Sequence, residues 1–321
     1  REALVAEGMA APFTVQGVHR SSDGTRKLVM ALRDEGRIEC VLIPMTNDPR
    51  DAEGGDSEDL VEEAPSSQRR VTLCVSTQYG CAMGCAFCAS GRVGLLRGLT
   101  SAEIVAQVVE SKRYLDPEEE LRNLVFMGMG EPLHHYERTA AAIRLLTDAK
   151  GLDMSPRRIT VSTVGLVPGI RRLGEDFEGK VGLAVSLHAP NDELRSRIMP
   201  MNRRYPLAEL MAALHAYPLP RRRRITIEYA LLGGVNDSLQ HARQLVNLLR
   251  GLRVKVNLIP YNPVEGAPFV TPSPAVVAAF RDAVADSGVS CFLRARRGDD
   301  VSAACGQLAL KPRGEEPAGL G

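Results

Sequence analysis

Short apolar runs alternate with helix-length amphipathic segments along most of this chain, a pattern that predicts βα units around a parallel sheet. The strand-like runs are 71–76, 123–129, 158–163, 181–188, 225–232, 254–261 and 290–294. Between them the spacing predicts a helix over 101–114, opened by Ser101 and Glu103 and lined on one face by Ile104, Val105, Val108 and Val109, and another over 238–250. Six such repeats make an α/β barrel or partial barrel, in which chemistry sits at the carboxyl ends of the strands. Ahead of them, the runs 27–32 and 38–43 flank the turn signal Asp34-Glu35-Gly36 and predict a hairpin, a small β extension within residues 1–47.

Composition narrows the class. The 321 residues, 44% hydrophobic and 25% charged, suffice for one large or two ordinary domains. No apolar run reaches the roughly 18 residues of a membrane span, and the start lacks the features of a secretory signal, so the expectation is a cytoplasmic protein with no membrane partner. The first residue is Arg1, which suggests an upstream segment.

The formal charge of +1 hides an uneven distribution. Asp48 to Glu63 carries eight acids and one base, Arg50, which predicts a solvated, flexible acidic loop over 48–66. Arg195 to Arg224 carries eight arginines and one acid, Glu209, and reads either as an exposed basic face or as an RNA-backbone contact. The Gly-, Pro- and Glu-rich end, 311–321, reads as a disordered tail, which leaves 67–310 as the core.

Seven cysteines, an odd number, do not form the paired framework of a secreted protein. Three of them, Cys81, Cys85 and Cys88, follow the first core strand with the spacing C-x3-C-x2-C. Three thiolates can hold three corners of a four-iron four-sulfur cluster and leave one iron open. A zinc site is the alternative, but a structural zinc site has four protein ligands and this segment offers no evident fourth. Gly128, Gly130 and Glu131 end the second strand; the glycines allow close backbone approach, and the carboxylate can accept from an ammonium group. Ser162, Ser186, His188 and Asn262 end later strands and could face a ribose or adenine. Cys40 and Cys291 read as small buried hydrophobes, whereas Cys305, among small residues and between Gly298 and Gly306, suits a loop that delivers a thiol.

These blocks, together with Ser22 to Lys27, Leu73 to Gln78, Ser186 to Arg195, Val235 to Ser238, Asn257 to Asn262 and Arg297 to Leu308, resemble the RlmN/Cfr family of radical S-adenosylmethionine (SAM) RNA methyltransferases. The resemblance runs from about position 20 to 310 and implies a radical SAM partial (β/α)6 barrel. It implies a 4Fe-4S cluster on Cys81, Cys85 and Cys88, SAM contacts from Gly130, Glu131, Ser162, Ser186, Leu187, His188 and Asn262, and two SAM per turnover. By the same resemblance Cys305 carries a methyl group, Cys74 is its disulfide partner and Glu39 is the proton acceptor. The implied partners are 23S rRNA and tRNA, an electron donor such as flavodoxin or ferredoxin, and a thiol reductant, with the enzyme a monomer.

Gly130 to Leu133 and Arg297 to Asp300 look like the branch that methylates adenine C2. A C8 methyltransferase of the same family is the alternative, and a non-catalytic zinc-bound RNA-binding module the rival from another class. The chain departs from the family pattern in three places: little of the usual helical domain precedes the hairpin, the acidic stretch is longer, and Gly98 stands where Asn is usual.

Overall fold

A computed structural model describes residues 12–45 and 68–308; the acidic stretch at 48–66 and the tail at 311–321 lie outside the described residues. The amino-terminal part is a meander of three antiparallel strands, β1 (Phe13–Arg20), β2 (Arg26–Leu32) and β3 (Arg37–Pro44). The predicted turn closes it, with the Leu32 N–H donating to the Gly36 carbonyl at 2.7 Å. The hairpin expectation missed β1, because the register slips between Val15 and Gly17 and breaks the alternation that marks a strand.

The predicted parallel strands follow as β4 (Arg69–Cys74), β7 (Glu119–Phe126), β8 (Ile159–Thr163), β9 (Gly182–Ser186), β10 (Ile225–Leu231), β11 (Val254–Pro260) and β12 (Ser290–Leu293). Each pairs in parallel with the next in sequence, as a singly wound barrel requires. All seven residues of β10 are buried, which explains why such strands read as unbroken apolar runs.

The sheet does not close. The second edge of β4 is taken by β3, which pairs with it antiparallel through Val41 opposite Cys74, so the meander and the barrel strands form one ten-stranded sheet. The extension is therefore continuous with the barrel wall. A short hairpin absent from the sequence reading, β5 (Gln78–Gly80) with β6 (Leu95–Gly98), brackets the cysteine loop and its helix α1 (Ala89–Val93).

Helix α2 (Ser101–Ser111) starts where the sequence predicted, and its last predicted residues, Lys112–Tyr114, form a 3-10 turn. Thr100 caps it, accepting from the Glu103 N–H at 3.2 Å, while Glu103 accepts from the Thr100 N–H at 2.8 Å. Helices α3 (Tyr136–Thr147), α4 (Val167–Phe177), α5 (Asp192–Ile198), α6 (Leu207–His215), α7 (Leu239–Leu248) and α8 (Pro274–Ala285) supply the remaining crossovers. None of the described helices is long and apolar enough to cross a membrane.

Candidate active site at the carboxyl ends of the strands

One cavity opens at the strand ends, where the repeat pattern placed the chemistry. Cys81, Cys85, Cys88, Gly128, Gly130, Glu131, Ser162, Ser186, His188, Asn262 and Cys305 all line it. The cysteine loop is fixed on three sides. Cys81 N–H donates to the Gly94 carbonyl at 2.9 Å, Ala86 N–H to Ile198 of α5 at 2.9 Å, and Ala89 N–H to Gly306 at 2.8 Å. That last bond joins the loop to the segment carrying Cys305.

Burial pushes the Cys81 thiol up to about 12 and the Cys85 thiol well above its usual range. Three thiolates are therefore tolerated here only if a bound metal centre neutralises them. Among the described residues, no three His, Cys, Asp or Glu side chains converge as ligands of a single ion. Three thiolates on one loop can hold three irons of a four-iron cluster and leave the fourth open, whereas a structural zinc site takes four protein ligands.

The two glycines of the second strand end are also required by the protein's own packing. A Cβ on Gly128 would lie 2.7 Å from the Val75 carbonyl oxygen, and one on Gly130, at φ +102°, would lie 2.5 Å from Cβ of Gln78. Their missing side chains make room for the segment after β4, while both glycines also line the cavity. Glu131 is also partly occupied, because its carboxylate accepts from Leu133 N–H at 3.0 Å and Val164 N–H at 2.8 Å. Burial nevertheless pushes it up to about 7. Two oxygens with four lone pairs leave it capacity for a further donor.

Leu187, expected with the SAM contacts, has its side chain in the core; its N–H donates to the Glu228 carbonyl and its carbonyl accepts from Arg195. His188, at φ +55°, accepts from the Ala230 N–H at Nδ1 over 2.8 Å, which assigns the proton to Nε2. Burial, reinforced by Arg195, holds its pKa down at about 3, so this ring is a neutral donor. Asn262 donates to the Cys305 carbonyl at 3.2 Å while its Oδ1 is buried with no partner. An unpaired buried acceptor on a cavity wall fits a ligand that brings its own donor.

Cys305 is exposed at the mouth, yet its sulfur is crowded by surrounding protein. Desolvation and the Glu228 carboxylate both raise its thiol. Cys74 is buried in β4, and burial followed by the proximity of Cys305 pushes its thiol far up. Both are free thiols in this structure. Cys40 is fully buried beside Ser111, as expected of a packing cysteine. Glu39 is not on the cavity wall; its Oε1 lies 3.1 Å from Lys27 Nζ, which also reaches the Ser302 carbonyl in the Cys305 loop at 3.4 Å.

Sequence reasoning passed over three polar residues. Gln78 accepts from Glu131 N–H at 3.0 Å and bonds His134 Nδ1 at 3.0 Å. Glu228 lines the cavity from the middle of β10; an acid inside an otherwise apolar strand was the available signal. Arg195 is 1% exposed and donates to the carbonyls of Val164, Ser186 and Leu187 and to Asn202 Oδ1 at 2.6 to 3.2 Å. It therefore belongs to the site rather than to a basic face.

The rest of the arginine run divides between two ends of the barrel. Arg203 and Arg204 follow α5 beside the cysteine loop, but Arg221 to Arg224 precede β10, at the end away from the cavity. There Arg224 bonds Ser290 and Arg223 bonds the Lys180 carbonyl. The run is not one RNA-facing surface.

A partial parallel barrel with three thiols in a loop after its first strand, opening on a cavity of polar strand ends, defines a radical SAM protein, and the Radical SAM superfamily profile matches residues 75–246. The dual-specificity RNA methyltransferase RlmN of Sorangium cellulosum (strain So ce56) is 55% identical, over 97% of this chain and 83% of the relative. The RlmN of Nitratidesulfovibrio vulgaris (strain DSM 19637 / Miyazaki F) is 48% identical over 92% and 76%. A crystal structure of a radical SAM methyltransferase from Sphaerobacter thermophilus superposes with a TM-score of 0.84, at 44% identity over 96% of this chain and 84% of that one. The chain belongs to the RlmN family of radical SAM methyltransferases, whose cofactors are a 4Fe-4S cluster and SAM.

Proposed function

We propose that this protein methylates C2 of an adenine in 23S rRNA and in tRNA, using Cys305 as the methyl carrier. The observation that carries the reading is the placement of Cys305 on the same cavity wall as Cys81, Cys85 and Cys88. When bound, the cluster and SAM supply a methyl group and a one-electron cleavage that yields a hydrogen-abstracting radical.

The chain's own groups divide the remaining work. Cys81, Cys85 and Cys88 hold the cluster. Asn262 Oδ1 and the His188 Nε2–H offer one acceptor and one donor to SAM, and Glu131, Ser162, Ser186 and the backbone at Gly130 complete its cradle. Cys305 takes the methyl group and makes the bond to the base. Cys74, as thiolate, attacks the Cys305 sulfur, so that an S–S bond forms as the S–C bond to the product breaks and the released carbon takes up a proton to become the methyl group; an external thiol then reduces the disulfide. Glu39, the proton acceptor that the family resemblance implies for C2, lies off the cavity wall, paired with Lys27, whose Nζ also reaches the Cys305 loop at Ser302. The base reaches the cavity unstacked, which favours loop RNA. An electron donor protein completes the cycle, and the cytoplasm is where these RNAs are met.

The two cysteines fail at different steps, which gives the test. With SAM, reductant and RNA under anaerobic conditions, Cys305→Ala acquires no methyl group and forms no RNA cross-link. Cys74→Ala is methylated at Cys305 and then stalls as a protein–RNA adduct, seen as a gel shift that ribonuclease trims. Wild-type product analysis gives 2-methyladenosine. Turnover by Cys305→Ala, or no adduct from cluster-loaded Cys74→Ala, refutes the roles; 8-methyladenosine as the main product refutes the C2 assignment.

A further inference from the structure

We infer that the outer face of the cysteine loop is the docking surface for an acidic, low-potential, one-electron carrier protein. The inference rests on the reading of Cys81, Cys85 and Cys88 as cluster ligands. It concerns where the electron enters: the carrier loses one electron, the cluster gains it, and no atom moves.

The thiols of Cys81 and Cys85 are buried, but Ala82 and Gly84 between them are exposed. Buried and exposed residues thus alternate along the loop. Gly84 lies at φ +63°, and a Cβ there would meet only Pro200, at 3.8 Å. A partner can therefore approach the loop closely from outside.

Both flanks of this opening are cationic. On one side, the turn at Pro200–Arg203 abuts Gly84 and is followed by Arg204; Arg197 lies on α5, whose last residue, Ile198, accepts from the loop's Ala86 N–H. On the other, α1 begins after Cys88 and carries Arg92 in its last turn. These four arginines are exposed, and among the described residues none forms an ion pair. Arg97 nearby, in contrast, is engaged by Asp34 and Glu103. Of the neighbouring acids, Asp192 Oδ1 is held by Asn202 and Leu207 N–H, Glu265 is already engaged, and Glu193 lies in the first turn of α5, away from the loop contact.

Two exposed apolar side chains, Val93 at 47% and Leu96 at 57% exposure, follow Arg92 along the chain. Apolar residues among arginines are the composition of a protein-docking face, whereas surfaces that bind nucleic-acid backbone are more polar. Electron-transfer partners use small contacts of this kind, and complementary charge raises their encounter rate.

The test is anaerobic stopped-flow reduction of the cluster-loaded protein, following loss of cluster absorbance with photoreduced flavodoxin and, separately, with dithionite. The Arg203→Glu/Arg204→Glu variant and Leu96→Asp should each be reduced by flavodoxin at least about tenfold more slowly at low salt, with the wild-type rate falling as salt rises. Reduction by dithionite and affinity for RNA should match wild type. An unchanged flavodoxin rate overturns the proposal, as does equal slowing with dithionite, which would place the effect on the cluster itself. Weakened RNA binding with normal reduction assigns the arginines to RNA instead. Failure of the cluster reading is distinct from all of these, because the wild-type protein would then show no cluster absorbance.

Discussion

A methyl group on Gly80 would sit 1.8 Å from the carbonyl oxygen of Gly94, with the backbone already at φ +77°. At this residue the close approach of two chain segments decides the amino acid, since the cysteine loop closes through the Cys81 N–H to Gly94 bond just beyond it. Gly80→Ala should destabilise the protein by at least about 1–3 kcal/mol from the backbone conformation alone, with the clash added. Because the loop carries three thiols, the same variant should lose most of its iron. Thermal melting and iron analysis after anaerobic reconstitution check this, and a variant with wild-type iron and melting temperature would show that the loop closes another way. The sequence marks Gly80 as a turn residue, but only the structure shows what its missing side chain makes room for.

At the scale of elements, Glu119 joins the meander to the barrel. Its side chain is fully buried at the start of β7, with Oε2 2.6 Å from Arg26 Nη2 of β2 and 3.0 Å from the Asp116 N–H, and Oε1 on Arg69 of β4. Burial acts to raise its pKa, but the Asp116 N–H and the two guanidinium groups outweigh it and hold the carboxyl below its ordinary 4.5. A depressed folded-state pKa gives stability that is present above about pH 4.5 and is lost as pH falls through the folded value. The gap in melting temperature between wild type and Glu119→Gln should therefore be widest near neutrality and shrink in acid. A gap constant with pH would assign the loss to packing instead. Neither the clamp nor β1 was legible in the sequence, because Arg26, Arg69 and Glu119 meet only once the four strands β2, β3, β4 and β7 are in register.

At the scale of the molecule, Arg195 ties β8, β9 and the turn after α5 into one floor beneath the cysteine loop. It is also a buried positive charge that opposes the upward push on the Cys85 thiol. Arg195→Met leaves three carbonyls and Asn202 Oδ1 without this donor, a cost on the order of 3 kcal/mol or more. Arg195→Lys keeps the charge but cannot span the same acceptors. Both variants should melt lower than wild type, and iron retention should be poorest in Arg195→Met. If Arg195→Met held iron as well as wild type, the residue would be a strand tie alone.

What the sequence determined by itself is what depends on near neighbours. Apolar runs at strand length fixed the seven parallel strands, and thiol spacing within eight residues fixed the cluster loop, because both signals are local. Only the tertiary structure decided which distant groups share a space. It brought Cys305 to the cysteine loop through the Ala89 to Gly306 bond, placed Gly128 and Gly130 against their own neighbouring segment, and divided one arginine run between opposite ends of the barrel. Periodicity specifies which face of an element is buried; the winding of the sheet specifies what that face meets.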